Sequence, residues 1–309
     1  MNFTSNTVII LGGRIMGLTA IRSLAKHNIK TILLYHDKKD YATVSKYVVK
    51  SFYSPHPETE EMEFLQFLSG LSLKFKGAVI FPTDDEYLIT LAKHKEKLSK
   101  YFVVACNDLD VISKLINKSY IYEIAAKSGI PTPRNLVTNN IDEAKEFAIE
   151  IGFPCLVKPS QSHIYVKTFG KKMAKVFNFE LLEKEFREAN SQNLEVMIQE
   201  FIPGNDCDNY SFWGFKYEDS FYAEATAQKV RNDPPGTGSP RVQVTKNIPE
   251  IIPLSRKILS ELGYQGYANV EFKKDSRTNE YKFMEINPRI NRCMLQAIAG
   301  GIDLSLIHI

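Results

Sequence analysis

Oxygen-bearing side chains cluster near the end of the chain, in two strand-like segments that a polar turn at residues 275–279 separates. Strand side chains alternate between faces, so Glu285 and Asn287 share one face, and antiparallel pairing could bring Glu271 onto it. These oxygen ligands suit Mg²⁺, which proteins hold through one or two carboxylates plus substrate phosphates. Arg289 follows closely enough to meet phosphate charge. A solvent-facing strand with ordinary acids explains the same residues equally well.

Two earlier segments could contact a nucleotide. Lys158 emerges from an apolar strand, where its ammonium could neutralise phosphates as a point charge. Residues 199–204 follow another strand, and their Pro-Gly break leaves backbone groups that could meet an adenine edge. Taken alone, each is an ordinary strand end, and for Lys158 that interpretation is favoured.

The turn-rich loop at residues 232–238 is a candidate lid. Arg231 and Arg241 flank it and could bind a substrate carboxylate or a γ-phosphate, although a charged solvent face accounts for them equally well. His163 could act as a general base, but a lone loop histidine is more often solvated or hydrogen-bonded locally.

A glycine-rich turn at residues 12–17 invites a dinucleotide-binding interpretation, since Asp37 lies about twenty residues further on, where a ribose ligand is expected. The spacing is G-G-x-x-x-G rather than G-x-G-x-x-G. Tight packing of a strand against a helix also requires glycine there, and this second explanation is favoured.

The elements that must position these residues fall into two regions. The first, residues 1–105, alternates short apolar runs with helical patterns and predicts a small parallel α/β domain. A helix predicted over residues 108–128 ends at Gly129. The rest is mostly strands with a helix near residues 181–189, which predicts an α+β region over residues 106–309, with a small subdomain at about 115–195 and a C-terminal subdomain at about 196–303.

Composition narrows the function. The 309 residues are 44% hydrophobic and 24% charged, an ordinary soluble balance, and a net charge of +3 is too small to imply nucleic acid or a membrane surface as the main partner. No apolar run approaches a bilayer span and the first residues do not resemble a signal peptide, so we expect a cytoplasmic protein. The four scattered cysteines argue against structural zinc and a disulfide framework.

Taken in order, Lys158, residues 199–202 and the strand pair ending at residues 285–289 resemble the motifs of the ATP-grasp superfamily. Lys118 resembles the family's helix lysine that reaches the nucleotide phosphates. The first region is similar to the family's pre-ATP-grasp domain through residues 11–18, 45–47 and 81–86, so the resemblance covers nearly the whole chain. It implies an ATP-grasp fold that clamps ATP with Mg²⁺, or Mn²⁺ in its place, between two subdomains.

The resemblance also implies the roles of individual residues. Within the superfamily, residues 228–236 resemble the carbamoyl-phosphate-synthetase-like and D-aspartate-ligase-like carboxylate-amine ligases. The segment after Lys158 lacks the glycine-rich phosphate flap of many relatives, and the hydroxyls of Ser160 and Ser162 would replace it. The implied nucleotide ligands are Lys118, Lys158, Ser160, Gln199, Glu200, Phe201, Ile202 and Asp206; the implied metal ligands are Glu271, Glu285 and Asn287; and the implied catalytic residues are Lys229, Arg231 and Arg289.

The expected reaction joins a carboxylate to an amine through an acyl phosphate and releases ADP and phosphate. The expected partners are small molecules, an amino acid or a peptide-like compound, with no nucleic acid or membrane, and a homo-oligomer is compatible with the sequence. Two alternatives remain: an NAD-dependent oxidoreductase based on residues 12–17, and a protein that binds ATP without turning it over. The end at residues 304–309 reads as a translated sequencing-transposon adapter, so we expect the natural chain to continue beyond about Asp303.

Overall fold

The computed structural model describes residues 7–159, 173–191, 195–236, 238–300 and 302. Its first sheet has five parallel strands in the order β3-β2-β1-β4-β5. This confirms the predicted parallel α/β region. The strands are β1 Thr7–Leu11, β2 Lys30–Tyr35, β3 Val48–Tyr53, β4 Val79–Pro82 and β5 Val103–Val104, and the helices are α1 Arg14–Ala25, α2 Glu61–Phe75, α3 Asp85–Lys93 and α4 Lys95–Leu98.

Burial explains why this sheet forms. Side chains alternate along β1, so Ile9 and Leu11 face one core while Val8 and Ile10 face another, and all four are fully buried. Burying a strand on both faces is typical of parallel sheets covered by helices. Because β1 and β4 are parallel neighbours, their carboxyl ends lie side by side at one edge of the sheet. The strand order reverses between them.

A second sheet has four antiparallel strands in the order β6-β9-β7-β8. Helices α7 and α8 pack on it through Ala148, Leu182 and Phe186, all buried. This sheet places Lys158 on β7 and Gln199 on β9. The elements are α5 Leu109–Ile116, α6 Lys118–Lys127, β6 Asn135–Thr138, α7 Ile141–Ile151, β7 Cys155–Pro159, β8 Ala174–Val176, α8 Phe179–Asn190 and β9 Val196–Glu200.

A third sheet has five antiparallel strands in the order β12-β11-β10-β13-β14. Phe212, Val270 and Phe272 on one of its faces pack against α9, while Trp213 and Tyr267 on the other face pack near α10. The elements are β10 Asn209–Tyr217, β11 Ser220–Asp233, β12 Ser239–Thr245, α9 Ile251–Glu261, β13 Gly266–Lys274, β14 Tyr281–Asn287 and α10 Met294–Ala299, with short 3-10 turns at Tyr41–Val44 and Asp206–Asp208.

The single helix predicted over residues 108–128 is wrong. The backbone of Asn117 is extended, with φ −84° and ψ 100°, and its side chain accepts a hydrogen bond from the Tyr120 N–H at 3.1 Å. Asparagine is a strong N-cap, so it ends α5 and begins α6. The break places Lys118 in the first turn of α6.

No helix among the described residues is both long and apolar enough to cross a bilayer.

Candidate nucleotide and metal site

The two carboxylates predicted to bind metal lie directly opposite each other. In the β13–β14 hairpin, Glu271 pairs with Glu285, and Asn269 pairs with Asn287. The Asn287 side-chain amide donates to Glu285 Oε1 at 3.3 Å, so these residues share one face of the sheet. Two carboxylates and an amide oxygen on one face form a hard oxygen donor set that fits Mg²⁺. The predicted hairpin and its register are confirmed, whereas the metal-binding role stays a prediction.

Lys229 of β11 lies beside the paired carboxylates. Its buried ammonium forms an ion pair with Glu271 Oε2, while Asn269 Nδ2 donates to Glu271 Oε1 at 3.0 Å. Burial lowers the pKa of Lys229, but the nearby carboxylates of Glu271 and Glu285 raise it by more, so the net shift is upward. Lys229 therefore remains a cation beside the paired carboxylates.

Lys158 approaches the same place from the second sheet. Its side chain is buried, and Nζ donates to Gln199 Oε1 at 2.5 Å. Burial, reinforced by the positive charge of Lys118, lowers the pKa of Lys158 to about 7, and the negative charge of Glu285 opposes this shift only partly. These mutual effects place Lys118, Lys158 and Glu285 close enough to interact. A buried lysine beside another lysine gains stability when an anion binds between them.

Tyr122 of α6 ties these elements together, and the sequence analysis missed it. Its hydroxyl donates to the Met284 carbonyl of β14 at 2.7 Å, across 162 residues of sequence. Burial raises the pKa of Tyr122, whereas a hydrogen bond with Gln199 acts in the opposite direction. The helix that carries Lys118 is thereby fixed to the strand that carries Glu285. The helical spacing of Tyr122 with Ile121 and Ala125 gives only a core signal.

Side chains of the segment at residues 199–204, at the end of β9, contact other parts of the protein. The Glu200 carboxylate is buried, pairs with Arg277 at 2.6 Å and accepts the Arg134 N–H at 3.1 Å. Lys175 lies 3.6 Å from the centroid of the Phe201 ring, and Ile202 is buried. The Glu200 side chain is therefore occupied within the protein, and its N–H donates to the Arg134 carbonyl at 2.8 Å, so the nucleotide-binding role of this segment stays a prediction.

The Asp206 side chain has a structural role. Its carboxylate accepts hydrogen bonds from the N–H groups of Asn232 and Gly236, both at 2.7 Å, and these contacts lower the pKa of Asp206. It thus fastens the loop after β11 to the end of that strand, where Arg231 is exposed. The described contacts do not connect Asp206 with Lys158 or Glu285, and its nucleotide-binding role stays a prediction, as does the catalytic role of Arg231.

Arg289 lies just beyond β14, half-buried. Its guanidinium is paired with Asp85 of the first region, with Nε at 2.6 Å from Oδ1 and Nη2 at 3.2 Å from Oδ2. Burial lowers the pKa of Arg289, but the carboxylate of Asp85, with smaller contributions from Asp84 and Glu285, raises it by more, so the net shift is upward. Asp85 belongs to residues 81–86, one of the segments that resemble the family. Its contact with Arg289 could not be predicted from residue spacing.

The sheet face that carries the carboxylates contains further buried polar atoms. Trp213 pairs directly with Asn269, and Tyr267 lies two residues further along β13 on the same face. Trp213 Nε1, the Tyr267 hydroxyl and Asn269 Oδ1 are buried without a hydrogen-bond partner among the described residues. Buried polar groups normally have partners, so this face is suited to polar occupants.

The glycine turn after β1 is filled by the protein's own carboxylate. Asp40, which is 4% exposed, accepts hydrogen bonds from the N–H groups of Gly13, Arg14 and Ala42 at 2.8, 2.8 and 2.9 Å. A dinucleotide would need the N–H groups at the start of α1 for its pyrophosphate. The geometry therefore disfavours the nicotinamide alternative.

Ser160, Ser162 and His163 lie outside the described residues, as does the chain end at residues 303–309.

Several solved structures share this fold. The chain resembles the solved biotin carboxylase of Campylobacter jejuni, with a TM-score of 0.79 and 16% identity over 98% of this chain and 70% of that one. It also resembles an L-amino acid ligase from Bacillus licheniformis, with a TM-score of 0.74 and 15% identity over 98% and 72%. A third similar structure is a 2-oxoglutarate carboxylase domain from Hydrogenobacter thermophilus, solved with MgADP, ADP and bicarbonate. Its TM-score is 0.73, with 17% identity over 93% of this chain and 64% of that one. With the strand pair described above, these similarities define the ATP-grasp fold.

Sequence comparison gives a finer grouping. The family described as "ATP-grasp in the biosynthetic pathway with Ter operon" matches residues 224–309. The D-aspartate ligase of Enterococcus faecium is 28% identical over 75% of this chain and 58% of its own length. The carbamoyl phosphate synthase large chain of Sulfurisphaera tokodaii is 23% identical over 94% of this chain but 28% of its own. The chain is thus similar to ATP-grasp enzymes, including carboxylate-amine ligases, and spans less than two thirds of the length of these two relatives.

Proposed function

We propose that this protein is an ATP-dependent carboxylate-amine ligase that activates a carboxylate as an acyl phosphate. The observation that carries the proposal is the register that sets Glu271 opposite Glu285, with Lys229 paired to Glu271 and Lys158 and Lys118 near Glu285. Two anions and three cations in one place can hold a polyphosphate together with its metal. The similarity to a D-aspartate ligase supports an amino acid or a peptide-like compound as a substrate.

In this proposal Glu271, Glu285 and Asn287 would hold Mg²⁺, which would neutralise charge on the β- and γ-phosphates, with Mn²⁺ as a substitute. Lys158 and Lys118 would bind phosphate oxygens, and the backbone after Glu200 would bind the adenine edge. Lys229 would orient the attacking carboxylate, and Arg289 would stabilise charge on the γ-phosphoryl group that is transferred. Positioning and electrostatics supply the catalysis, so the proposal needs no nucleophilic side chain.

The amine would then attack the acyl carbon and displace phosphate, which gives an amide, ADP and inorganic phosphate. The γ-phosphoryl group is transferred from ATP to an oxygen of the carboxylate. That oxygen is then released as part of the inorganic phosphate, so all atoms are accounted for. The proposed partners are therefore a small carboxylic acid and a small amine in the cytoplasm, and a homo-oligomer remains compatible with this scheme.

The test is a screen of phosphate release with Mg-ATP over pairs of amino acids and short peptides, with product masses determined for every positive pair. We expect release that requires both an acid and an amine, and a product lighter than their sum by one water. A Glu285→Gln variant is the matched negative control. Tight Mg-ATP binding with no release for any pair would favour a non-catalytic nucleotide-binding protein and contradict the proposal.

A further inference from the structure

The ion pair between Arg289 and Asp85 connects two distant parts of the chain. The residues are 204 positions apart, and the guanidinium meets the carboxylate through two N–H groups, at 2.6 and 3.2 Å. The third nitrogen, Nη1, lies 3.6 Å from the Met16 sulfur in the first turn of α1. Two parallel hydrogen bonds fix the plane of a guanidinium as well as its position. The first region therefore sets the orientation of Arg289.

Asp85 is itself held firmly, because it begins α3. Asp84 caps this helix by accepting the Tyr87 N–H at 3.0 Å, and Thr83 Oγ1 donates to the Leu11 and Gly12 carbonyls at 2.8 and 2.9 Å. The segment before α3 is thus fastened to the turn after β1. A carboxylate on such a support has little freedom to follow a moving partner.

An exposed ion pair would contribute little and would not justify a role. Here the Arg289 side chain is only 16% exposed, although that of Asp85 is 56% exposed. A free arginine side chain has many rotamers, so an anchor that removes this freedom makes a subsequent contact with an anion more favourable. Arg289 follows the proposed metal ligand Asn287 by two residues, directly after β14, so the anchored residue belongs to the strand end that carries the proposed metal ligands.

We propose that Asp85 is a positioning residue, which holds Arg289 in the orientation that contacts the γ-phosphate of bound ATP. This inference rests on the proposed function, because it requires a triphosphate at Glu271 and Glu285. It predicts a specific loss: weakening the anchor lowers affinity for ATP more than affinity for ADP, since ADP lacks the group that Arg289 contacts.

The experiment measures Mg-ATP and Mg-ADP dissociation constants by calorimetry for the wild type, Asp85→Asn, Arg289→Lys and the double variant. We expect Asp85→Asn to reduce the preference for ATP over ADP by roughly fivefold to tenfold, less than the loss of a whole charge-assisted contact, because Arg289 keeps its charge. In the Arg289→Lys background the same substitution should have no further effect on that preference. The matched control is Glu86→Gln, which removes the neighbouring carboxylate that faces His56 and should leave the preference unchanged.

Equal losses for ATP and ADP would show a merely structural role and overturn the inference. A stronger preference for ATP in Asp85→Asn would also overturn it, because Asp85 would then compete with phosphate for Arg289. If Asp85→Asn does not fold, Asp85→Glu is measured in its place. Its carboxylate is displaced by one methylene group, so the preference for ATP over ADP should fall at least about twofold. An unchanged preference would refute the positioning role of Asp85. If the wild type binds no Mg-ATP, the proposed function fails instead.

Discussion

Lys158 should make nucleotide binding depend on pH. In the free protein burial and Lys118 lower its pKa to about 7, whereas bound phosphate favours the charged form and must raise that pKa. Above pH 7 the binding of Mg-ATP therefore takes up a proton. About a tenth of the free protein carries this proton at pH 8 and about a hundredth at pH 9, so the dissociation constant should rise about tenfold per pH unit, or about 1.4 kcal/mol.

Calorimetry between pH 7.5 and 9.5, in buffers of different ionisation enthalpy, measures both the affinity and the proton uptake, because this range lies above the pKa of Lys158 in the free protein. The matched variant is Lys158→Arg, which keeps the charge but stays protonated throughout this range, so its affinity should be nearly independent of pH. A wild-type affinity that does not change over this range, with no proton uptake, would refute the reasoning.

The remaining predictions concern the metal ligands, the phosphate lysine and the turn after β1. Glu271→Gln and Glu285→Gln should each abolish most of the Mg²⁺ dependence of ATP binding, measured by titration with and without the metal; unchanged Mg-ATP affinity in both variants would contradict the proposed donor set. Lys158→Ala should weaken Mg-ATP binding by about 1.5 to 3 kcal/mol, far more than His163→Ala, and equal losses in calorimetry would reverse this ranking. Asp40→Ala should lower the free energy of unfolding by about 2 to 4 kcal/mol in urea denaturation without producing NADH affinity, because it removes a buried acceptor from three N–H groups. Tight NADH binding by the wild type would contradict the account of that turn.

The same pKa shift predicts how Lys158 affects folding. Its pKa in the folded protein lies below the ordinary value of 10.5, so between about pH 7 and 10.5 the unfolded chain binds a proton that the folded chain does not. The contribution of this residue to the unfolding free energy should therefore rise with pH across that window. Urea denaturation at pH 7.5 and 9.5 compares the wild type with Lys158→Met, in which this rise should disappear.

The sequence was sufficient where side-chain periodicity determines geometry. Alternation along a strand placed Glu285 and Asn287 on one face, and the turn between the segments implied an antiparallel partner, so the position of Glu271 followed. The parallel strands of the first region followed equally well from their apolar runs and helical patterns. These features depend on neighbours within a few residues or on one hairpin.

Contacts between distant segments were not predictable in this way. The ion pair of Arg289 with Asp85 and the bond from Tyr122 to Met284 join residues more than 160 positions apart. Their existence depends on how the sheets are placed against one another, and no local pattern records that placement. The break at Asn117 was missed for another reason: its capping tendency was outweighed by the helical pattern on both sides of it.

Some assignments rested on resemblance to the family, and there the structure shows particular contacts. Asp206 fastens the loop after β11, and the Glu200 carboxylate pairs with Arg277. Glu200 lies in the segment whose motif resembles the family and Asp206 lies just beyond it, yet both side chains are engaged within the protein. A motif match gives the location of a segment more securely than the task of each side chain in it.

The central claim is that a carboxylate attacks the γ-phosphorus of ATP. The most direct measurement uses an acid substrate found in the screen, prepared with heavy oxygen in its carboxylate, and follows that label by mass spectrometry. An acyl phosphate intermediate predicts that one labelled oxygen appears in the released phosphate for each amide formed. Amide formation with unlabelled phosphate would contradict the account.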